Sequence, residues 1–109
     1  MDLFLNKYKK INAKNINMVP VVLNRDNKMK NNIILKKCKY IIDKQIKIRD
    51  FVNIIMKSYD DNKPNESFIL FCQNTLINYN LTICDIYDKY KDKDDILNIT
   101  YSKISSFGF

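Results

Sequence analysis

The stretch IRDFVNIIMKSY (residues 48–59) decides the fold, because it has the pattern of an amphipathic helix with one apolar face. At about 100° per residue, Ile54 lies well away from the centre of that face and is expected at the surface. The helix is predicted to pack across a sheet through the remaining apolar residues, which fall on one stripe: Ile48, Phe51, Val52, Ile55 and Tyr59.

The segments around this helix have the composition of strands. Before it, MVPVVLN (residues 18–24) and KKCKYII (residues 36–42) are rich in β-branched residues and are predicted to pair antiparallel. After it, SFILFCQ (residues 67–73) is nearly all apolar, as a central strand buried on both faces should be. ILNITY (residues 96–101) is predicted to be the last strand.

Two further helices complete the prediction. Apolar residues spaced by three and four between Leu3 and Ile11 indicate a short N-terminal helix. TICDIYDKY (residues 82–90) is predicted to form another, with Thr82 as its N-cap and Asp85 in its first turn. The order β-β-α-β-α-β after an N-terminal helix predicts an α+β protein with a ubiquitin-like β-grasp fold. We expect a four-stranded mixed sheet with a crossing helix, and with strands one and four parallel in the centre.

The expected organisation is an N-terminal helical extension (residues 1–18), a ubiquitin-like domain (residues 19–102) and a flexible C-terminal tail (residues 103–109). The chain has 109 residues, which is the size of one domain.

The residue types present exclude most catalytic sites. The chain has no histidine, so no triad or dyad with an imidazole base is possible, and its single glycine rules out glycine-rich phosphate loops. Its three cysteines, Cys38, Cys72 and Cys84, are odd in number and lack CxxC spacing, which argues against a disulfide framework or a zinc site. The run KDKDD (residues 91–95) lacks the spacing of a calcium loop. We therefore predict no catalytic residue, no metal and no cofactor, and the protein is not expected to be an enzyme.

Charge is distributed unevenly along the chain. Residues 1–57 carry 14 basic and 4 acidic side chains, a net charge of +10, whereas residues 58–109 carry 5 basic and 8 acidic side chains, a net charge of −3. A basic half indicates an acidic partner, but no nucleic-acid motif is present and none is predicted to bind. The apolar runs VPVVL and FILFC are too short for a signal peptide or a membrane span, so a cytoplasmic location is expected.

Four segments resemble a known family: VPVVLNR (residues 19–25), KYIIDKQIKIRDFV (residues 39–52), FILFCQNTL (residues 68–76) and DIYDKYKDKDDILNITYS (residues 85–102). Their order and nearly all of their spacings are similar to those of the autophagy-related protein 8 family, which includes GABARAP and light chain 3. The closing SSFGF (residues 105–109) extends the resemblance and contains the only glycine, Gly108.

The resemblance implies a ubiquitin-like modifier that acts in autophagosome formation. Gly108 would be joined to phosphatidylethanolamine after a processing cysteine protease removes Phe109, and activating and conjugating enzymes would carry out the transfer. Glycine has no Cβ, which suits a terminus that must enter narrow enzyme channels. The protein would then be cytoplasmic and, once lipidated, anchored on autophagosomes, with another organelle membrane such as a plastid left open.

The resemblance also implies a binding site for receptors and adaptors that carry an aromatic-x-x-aliphatic motif. Such a ligand would add as a strand beside residues 37–42, with acidic ligand residues meeting a basic rim of Lys37 and Lys39. A first pocket would take the aromatic side chain and would contain Ile11, Pro20, Lys39, Ile41 and Ile96. A second pocket would take the aliphatic side chain and would contain Tyr40, Ile42, Ile46, Phe51 and Ile54.

The sequence departs from the family at several positions. Asp43 stands where the family usually has proline, Asp95 replaces a glycine, and Ile96 replaces a phenylalanine. The segment before the first strand is short, so we expect the first of the family's two N-terminal helices to be missing or truncated. Two alternatives stay open: the sister family, autophagy-related protein 12, which is joined to a protein, and a nonconjugated module that binds acidic peptides or anionic lipid headgroups.

Overall fold

The computed structural model describes residues 2–14, 17–26, 37–57 and 68–103, and these contain three helices and five strands. In chain order they are α1 (Asp2–Lys14), β1 (Met18–Arg25), β2 (Lys39–Asp43), α2 (Ile48–Lys57), β3 (Phe68–Cys72), β4 (Thr75–Leu76), α3 (Ile83–Tyr90) and β5 (Leu97–Lys103).

The strands form one mixed sheet with the order β2-β1-β5-β3-β4. β1 pairs parallel with β5 in the centre, through partners such as Val21 and Leu97, and antiparallel with β2. β3 pairs antiparallel with β5 and with β4. The predicted β-grasp arrangement, with the first and last strands parallel in the centre, is confirmed.

Among the described residues the sheet has five strands, so the predicted number of four is too low. The additional strand, β4, has two residues, too few to show an alternating pattern. It follows a turn at Gln73 and Asn74, which have φ angles of 49° and 66°. These left-handed conformations are usually signalled by glycine, which this turn lacks, and Asn74 is only a weaker signal for them.

Several predicted boundaries also shift by a few residues. β2 begins at Lys39, with Lys37 and Cys38 outside the strand, and Gln73 belongs to the turn after β3. β1 begins at Met18 as predicted and extends one residue further, to Arg25, whereas β5 begins one residue later than predicted, at Leu97, and extends two residues further, to Lys103. Residues 36, 58–59 and 67 of the predicted elements lie outside the described residues.

The helix α2 covers one face of the sheet, as its stripe predicts. Ile48, Phe51 and Ile55 are fully buried and belong to the same core cluster as Val21 and Leu97. Val52 is half-buried against this cluster. Ile54 is 38% exposed, as expected for a residue off the stripe. Full burial of these large side chains contributes about 1.5–3 kcal/mol each to folding.

The helix α3 begins with the predicted cap, which forms a complete capping box. The Asp85 N–H donates to the Thr82 hydroxyl at 3.2 Å, and the Thr82 N–H donates to Asp85 Oδ2 at 3.0 Å. Each bond satisfies an amide that the helix itself leaves unpaired, which fixes where the helix starts.

The helix α1 packs on β1, and the alternation of side chains along β1 shows on which face. Val19, Val21 and Leu23 face the core beneath α2, so the fully buried Pro20 faces the opposite side of the sheet. Phe4 and Tyr8 of α1 are half-buried, and Tyr8 hydrogen bonds to Tyr87 in the middle of α3 (Ile83–Tyr90). The sheet is therefore covered by α2 on one face and by α1 on the other, at its β1 side.

Candidate functional site

The strand β2 is an edge strand, with β1 on one side and no strand on the other within the described residues. The Leu23 N–H donates to the Cys38 carbonyl at 2.7 Å, and the Lys44 N–H donates to the Asn17 carbonyl at 2.8 Å. Because the main chain of an antiparallel strand turns to alternate sides, the even-numbered residues between Cys38 and Lys44 bond to β1. The N–H and C=O groups of Lys39 and Ile41 therefore point to the open edge, where a further strand can pair with them.

Four of the five members of the predicted first pocket lie together on the α1 face of the sheet. Pro20 is the direct cross-strand partner of Ile41. Since Val21 pairs with Leu97, Pro20 also lies beside Ile96. Pro20 and Ile96 are fully buried, Ile41 is half-buried and Lys39 is exposed. Ile11 belongs to α1, but its side chain is outside the described part of the structure.

The members of the predicted second pocket lie on the opposite, α2 face. Tyr40 and Ile42 point into the core cluster, and the rings of Tyr40 and Phe51 meet edge to face with centroids 5.3 Å apart. Phe51 is fully buried, so it can form only the floor of a pocket. Ile46 is half-buried and Ile54 is exposed, so these two side chains offer the accessible apolar surface.

The predicted basic rim lies at the N-terminal end of β2. Lys37 and Lys39 are both exposed, and the Lys37 ammonium lies 4.7 Å from the centre of the Tyr40 ring. The Tyr40 hydroxyl donates to the Lys37 carbonyl at 3.3 Å. These contacts hold the cation close to the edge strand, where an acidic ligand residue could meet it.

This arrangement suits an extended ligand with two apolar side chains three residues apart. Successive side chains of a strand point to opposite faces, so side chains at positions i and i+3 also point to opposite faces. A strand paired with Lys39 and Ile41 would direct one such side chain to the Pro20–Ile96 side and the other to the Ile46–Ile54 side.

Asp92 positions Ile96, a role that the sequence did not indicate. It lies in the run KDKDD (residues 91–95), yet its Oδ1 accepts from the Ile96 N–H at 3.0 Å and from the Asp94 N–H at 2.8 Å. Its Oδ2 accepts from the Asn98 amide at 2.8 Å. Burial alone would raise the pKa of Asp92, but these hydrogen bonds outweigh it and hold the pKa below the ordinary value. An aspartate side chain at the start of a turn can accept hydrogen bonds from the backbone N–H groups two and four residues later. Asp92 at the start of the run is the signal that could have indicated this turn.

The same turn contains Asp95, which occupies the left-handed region with a φ of 62°. Its carbonyl accepts from the Tyr87 hydroxyl at 2.7 Å. Burial raises the pKa of Tyr87, and the neighbouring Tyr8 and Asp95 raise it further. The substitution of aspartate for the family's glycine thus remains compatible with the turn, since Asp adopts this conformation more readily than most residues.

The cysteines occupy three different environments. Cys38 is exposed beside the basic rim, whereas burial raises the pKa of the Cys72 thiol to about 12. Burial and the Asp88 carboxylate, which accepts from the thiol, also raise the pKa of Cys84. The thiols of Cys72 and Cys84 are therefore protonated at neutral pH and poor nucleophiles. The described residues contain no group of three acidic or cysteine side chains that could hold a metal ion.

The predicted conjugation residues, Gly108 and Phe109, lie outside the described residues. In the part of the chain that the structure describes, no helix has the length and apolar character needed to cross a membrane.

The family match and the similar proteins all point to one family. Residues 5–108 match the family described as "Autophagy protein Atg8 ubiquitin like". The chain is 32% identical over 99 residues to "Autophagy-related protein 8" of Dictyostelium discoideum, covering 91% of this chain and 80% of that protein. It is 31% identical over 99 residues to human "Microtubule-associated protein 1 light chain 3 gamma", covering 90% of this chain and 67% of that protein.

Two solved structures share the fold. The crystal structure of Trypanosoma brucei ATG8 superposes with a TM-score of 0.76 at 20% identity, covering 94% of this chain and 87% of that chain. Plasmodium falciparum Atg8, solved in complex with a Plasmodium falciparum Atg3 peptide, gives a TM-score of 0.71 at 26% identity and covers 94% and 92%.

Proposed function

The chain belongs to the Atg8 family of ubiquitin-like autophagy proteins, and we propose from this premise that it is a modifier joined through Gly108 to phosphatidylethanolamine. Two observations support Gly108 as the residue that is joined. It is the only glycine in the chain, and it is the last residue of the family match. An unbranched terminal residue offers its carboxylate to an activating enzyme without steric hindrance.

Phe109 covers that carboxylate, so one peptide bond must be hydrolysed before activation. A processing cysteine protease would cut after Gly108 and leave a free carboxylate. An activating enzyme would adenylate the carboxylate with ATP, releasing pyrophosphate. A conjugating enzyme would then direct the glycyl group to the lipid amine, which forms an amide, with AMP as the group released from the carboxyl carbon. The product would sit on autophagosomal membranes, or on another organelle membrane such as a plastid, while the unmodified protein stays cytoplasmic. In this scheme the protein is a substrate of enzymes and not itself a catalyst.

We further propose that the open edge of β2 recruits receptors, adaptors and the conjugating enzyme. The observation that carries this proposal is the division of apolar residues between the two faces of one open strand, with Pro20, Ile41 and Ile96 on one face and Ile46 and Ile54 on the other. An aromatic-x-x-aliphatic ligand presents its two anchors to opposite faces in the same way. The Atg3 peptide bound to the Plasmodium falciparum protein makes a conjugating-enzyme segment a reasonable first ligand.

The experiment for conjugation compares four forms of the chain: full length, Gly108→Ala, a form ending at Gly108, and Ser106→Ala as a tail control. Each form is expressed in the cells that make this protein, and its conjugation is followed by gel shift and membrane flotation. Full length and Ser106→Ala are expected to shift and float, and Gly108→Ala is expected to do neither. The form ending at Gly108 is expected to float even when the protease is inactivated.

The outcomes separate this proposal from its alternatives. If Gly108→Ala shifts and floats as the full-length chain does, conjugation through this glycine is wrong and the nonconjugated, charge-binding module becomes the better account. If the shifted species contains a second protein and resists a phospholipase, the chain behaves like an autophagy-related protein 12 conjugate.

A further inference from the structure

The edge strand β2 carries opposite charges at its two ends. Lys37 and Lys39 lie at its N-terminal end and Asp43 ends it, and all three are exposed. Lys39, Ile41 and Asp43 occupy alternate positions and therefore share one face of the strand. Along that face a ligand meets first a cation, then an aliphatic side chain, and then a carboxylate.

Asp43 is held at this position by a turn. The Gln45 N–H donates to its Oδ1 at 2.8 Å, and the Ile46 N–H donates to its carbonyl at 3.3 Å. The carbonyl of Asp43 is thus already engaged, so the pairing edge offered by β2 ends at this residue. Within the described residues, Asp43 forms no ion pair, and its Oδ2 stays available to a ligand.

The neighbouring lysines do not neutralise this carboxylate directly. The carbonyl of Lys44 accepts from the Cys84 N–H at 2.7 Å, and the positive charge of Lys44 acts on the Cys84 thiol. Lys47 pairs with Thr82 in an isolated antiparallel bridge. The main chains of both residues are therefore bound at the start of α3, and within the described residues neither ammonium group forms an ion pair with Asp43.

The two apolar sets fix the direction in which a ligand runs. The first is level with Ile41, the cross-strand partner of Pro20, and in the second the accessible Ile46 follows the C-terminal end of β2, where its N–H donates to the Asp43 carbonyl. A ligand whose aromatic residue precedes its aliphatic residue must therefore run parallel to β2. With about 3.3 Å per residue, the residue after the aliphatic anchor reaches the level of Asp43 and returns to the face that Asp43 shares.

We infer that this edge selects extended peptides of one charge order, with acidic residues before the aromatic anchor and a basic residue directly after the aliphatic anchor. The inference rests on the proposed recruitment function, and it names the ligand class that this chain prefers. Lys37 and Lys39 attract the acidic residues, and Asp43 attracts the basic one and repels an acidic one. Asp43 is thereby the specificity-determining residue of the site.

The test uses three labelled peptides on one aromatic-x-x-aliphatic core with the same acidic N-terminal flank. They carry lysine, glutamine or glutamate directly after the aliphatic residue. Binding to the full chain is measured by fluorescence anisotropy at low salt. The lysine peptide is expected to bind about 3- to 10-fold more tightly than the glutamate peptide, with the glutamine peptide between them, as for a pair of exposed ionic contacts.

Three variants assign the preference to one residue. Asp43→Asn keeps an oxygen for the Gln45 N–H and should reduce the preference to less than about twofold, and Asp43→Lys should reverse it. Asp94→Asn, an equal charge change in the turn before Ile96, should leave the preference unchanged. Equal binding of all three peptides to the unmodified chain, or a preference that survives Asp43→Asn, overturns the inference. If the glutamine peptide itself fails to bind, the recruitment function fails instead.

Discussion

The Tyr40 and Phe51 rings meet edge to face, with an angle of 86° between their planes and 5.3 Å between their centroids. This contact links the open edge strand to the helix that crosses the sheet. Phe51 is fully buried while Ile54, three residues later on the same helix, is exposed. Phe51 thus stabilises the core, while Ile54 is accessible to a ligand.

Replacing Ile54 should weaken ligand binding without unfolding the protein. Ile54→Ala is expected to cost about 1–2 kcal/mol of binding free energy, because it removes an aliphatic contact that only a bound peptide buries. Isothermal titration with an aromatic-x-x-aliphatic peptide measures this loss. Leu81→Ala is the matched control, since Leu81 is 37% exposed, close to the 38% of Ile54, but belongs to the segment before α3. Equal losses in the two variants would remove Ile54 from the site.

Replacing Phe51 should act on folding instead. Phe51→Ala is expected to lower the free energy of unfolding by about 3–5 kcal/mol, since it leaves a cavity under Tyr40. Phe51→Leu keeps most of the volume and should cost less. Urea denaturation of both variants gives these values. A fully stable Phe51→Ala protein would contradict the placement of this ring in the core.

The basic rim predicts a dependence on ionic strength. A peptide with an acidic flank before the aromatic residue should lose affinity as salt is raised, while the same core with a neutral flank should change little. The Lys37→Ala, Lys39→Ala double variant should bind both peptides equally, within about twofold. Anisotropy titrations at low and high salt measure the slopes. A salt dependence that is unchanged in the double variant would place the acidic flank elsewhere.

The turn before Ile96 should contribute stability that depends on pH. Asp92→Ala removes three hydrogen bonds to a carboxylate and is expected to destabilise the chain by about 1–2 kcal/mol at pH 7. Because folding lowers the pKa of Asp92 below its ordinary value of 3.8, its contribution is complete above that pH and is lost as the pH falls through the lowered value. Denaturation of Asp92→Ala and of the control Asp94→Ala at pH 7 and pH 3 tests this. A deficit in Asp92→Ala of the same size at both pH values would contradict the account.

The sequence predicted the elements whose side chains repeat with a clear period. The stripe of α2 was visible because burial imposes a pattern on many residues at once. The cap of α3 was visible from its Thr–x–x–Asp spacing, and the parallel centre of the sheet from the order of the elements. The two-residue strand β4 and the left-handed Gln73, Asn74 and Asp95 were not predicted, since each depends on a local conformation that glycine usually marks.

The membership of the candidate site stays a prediction, and its geometry comes from the structure. Its residues followed from the family resemblance, and the register of β1 with β2 and β5 then divided them between two faces of the sheet. Which of them are accessible depends on tertiary packing, so the full burial of Pro20 and Ile96 could not be foreseen, whereas the stripe of α2 predicted the burial of Phe51. The role of Asp92 was hidden because a solvated acidic run and a hydrogen-bonded turn have the same composition.

Mass spectrometry of the C-terminal peptide, prepared from membranes of the cells that make this protein, tests the central claim most directly. The account predicts a peptide that ends at Gly108, lacks Phe109 and carries phosphatidylethanolamine in amide linkage, while the cytoplasmic fraction contains the unmodified carboxylate. A membrane-bound chain that still ends in Phe109, or a Gly108 joined to a lysine of another protein, would contradict it.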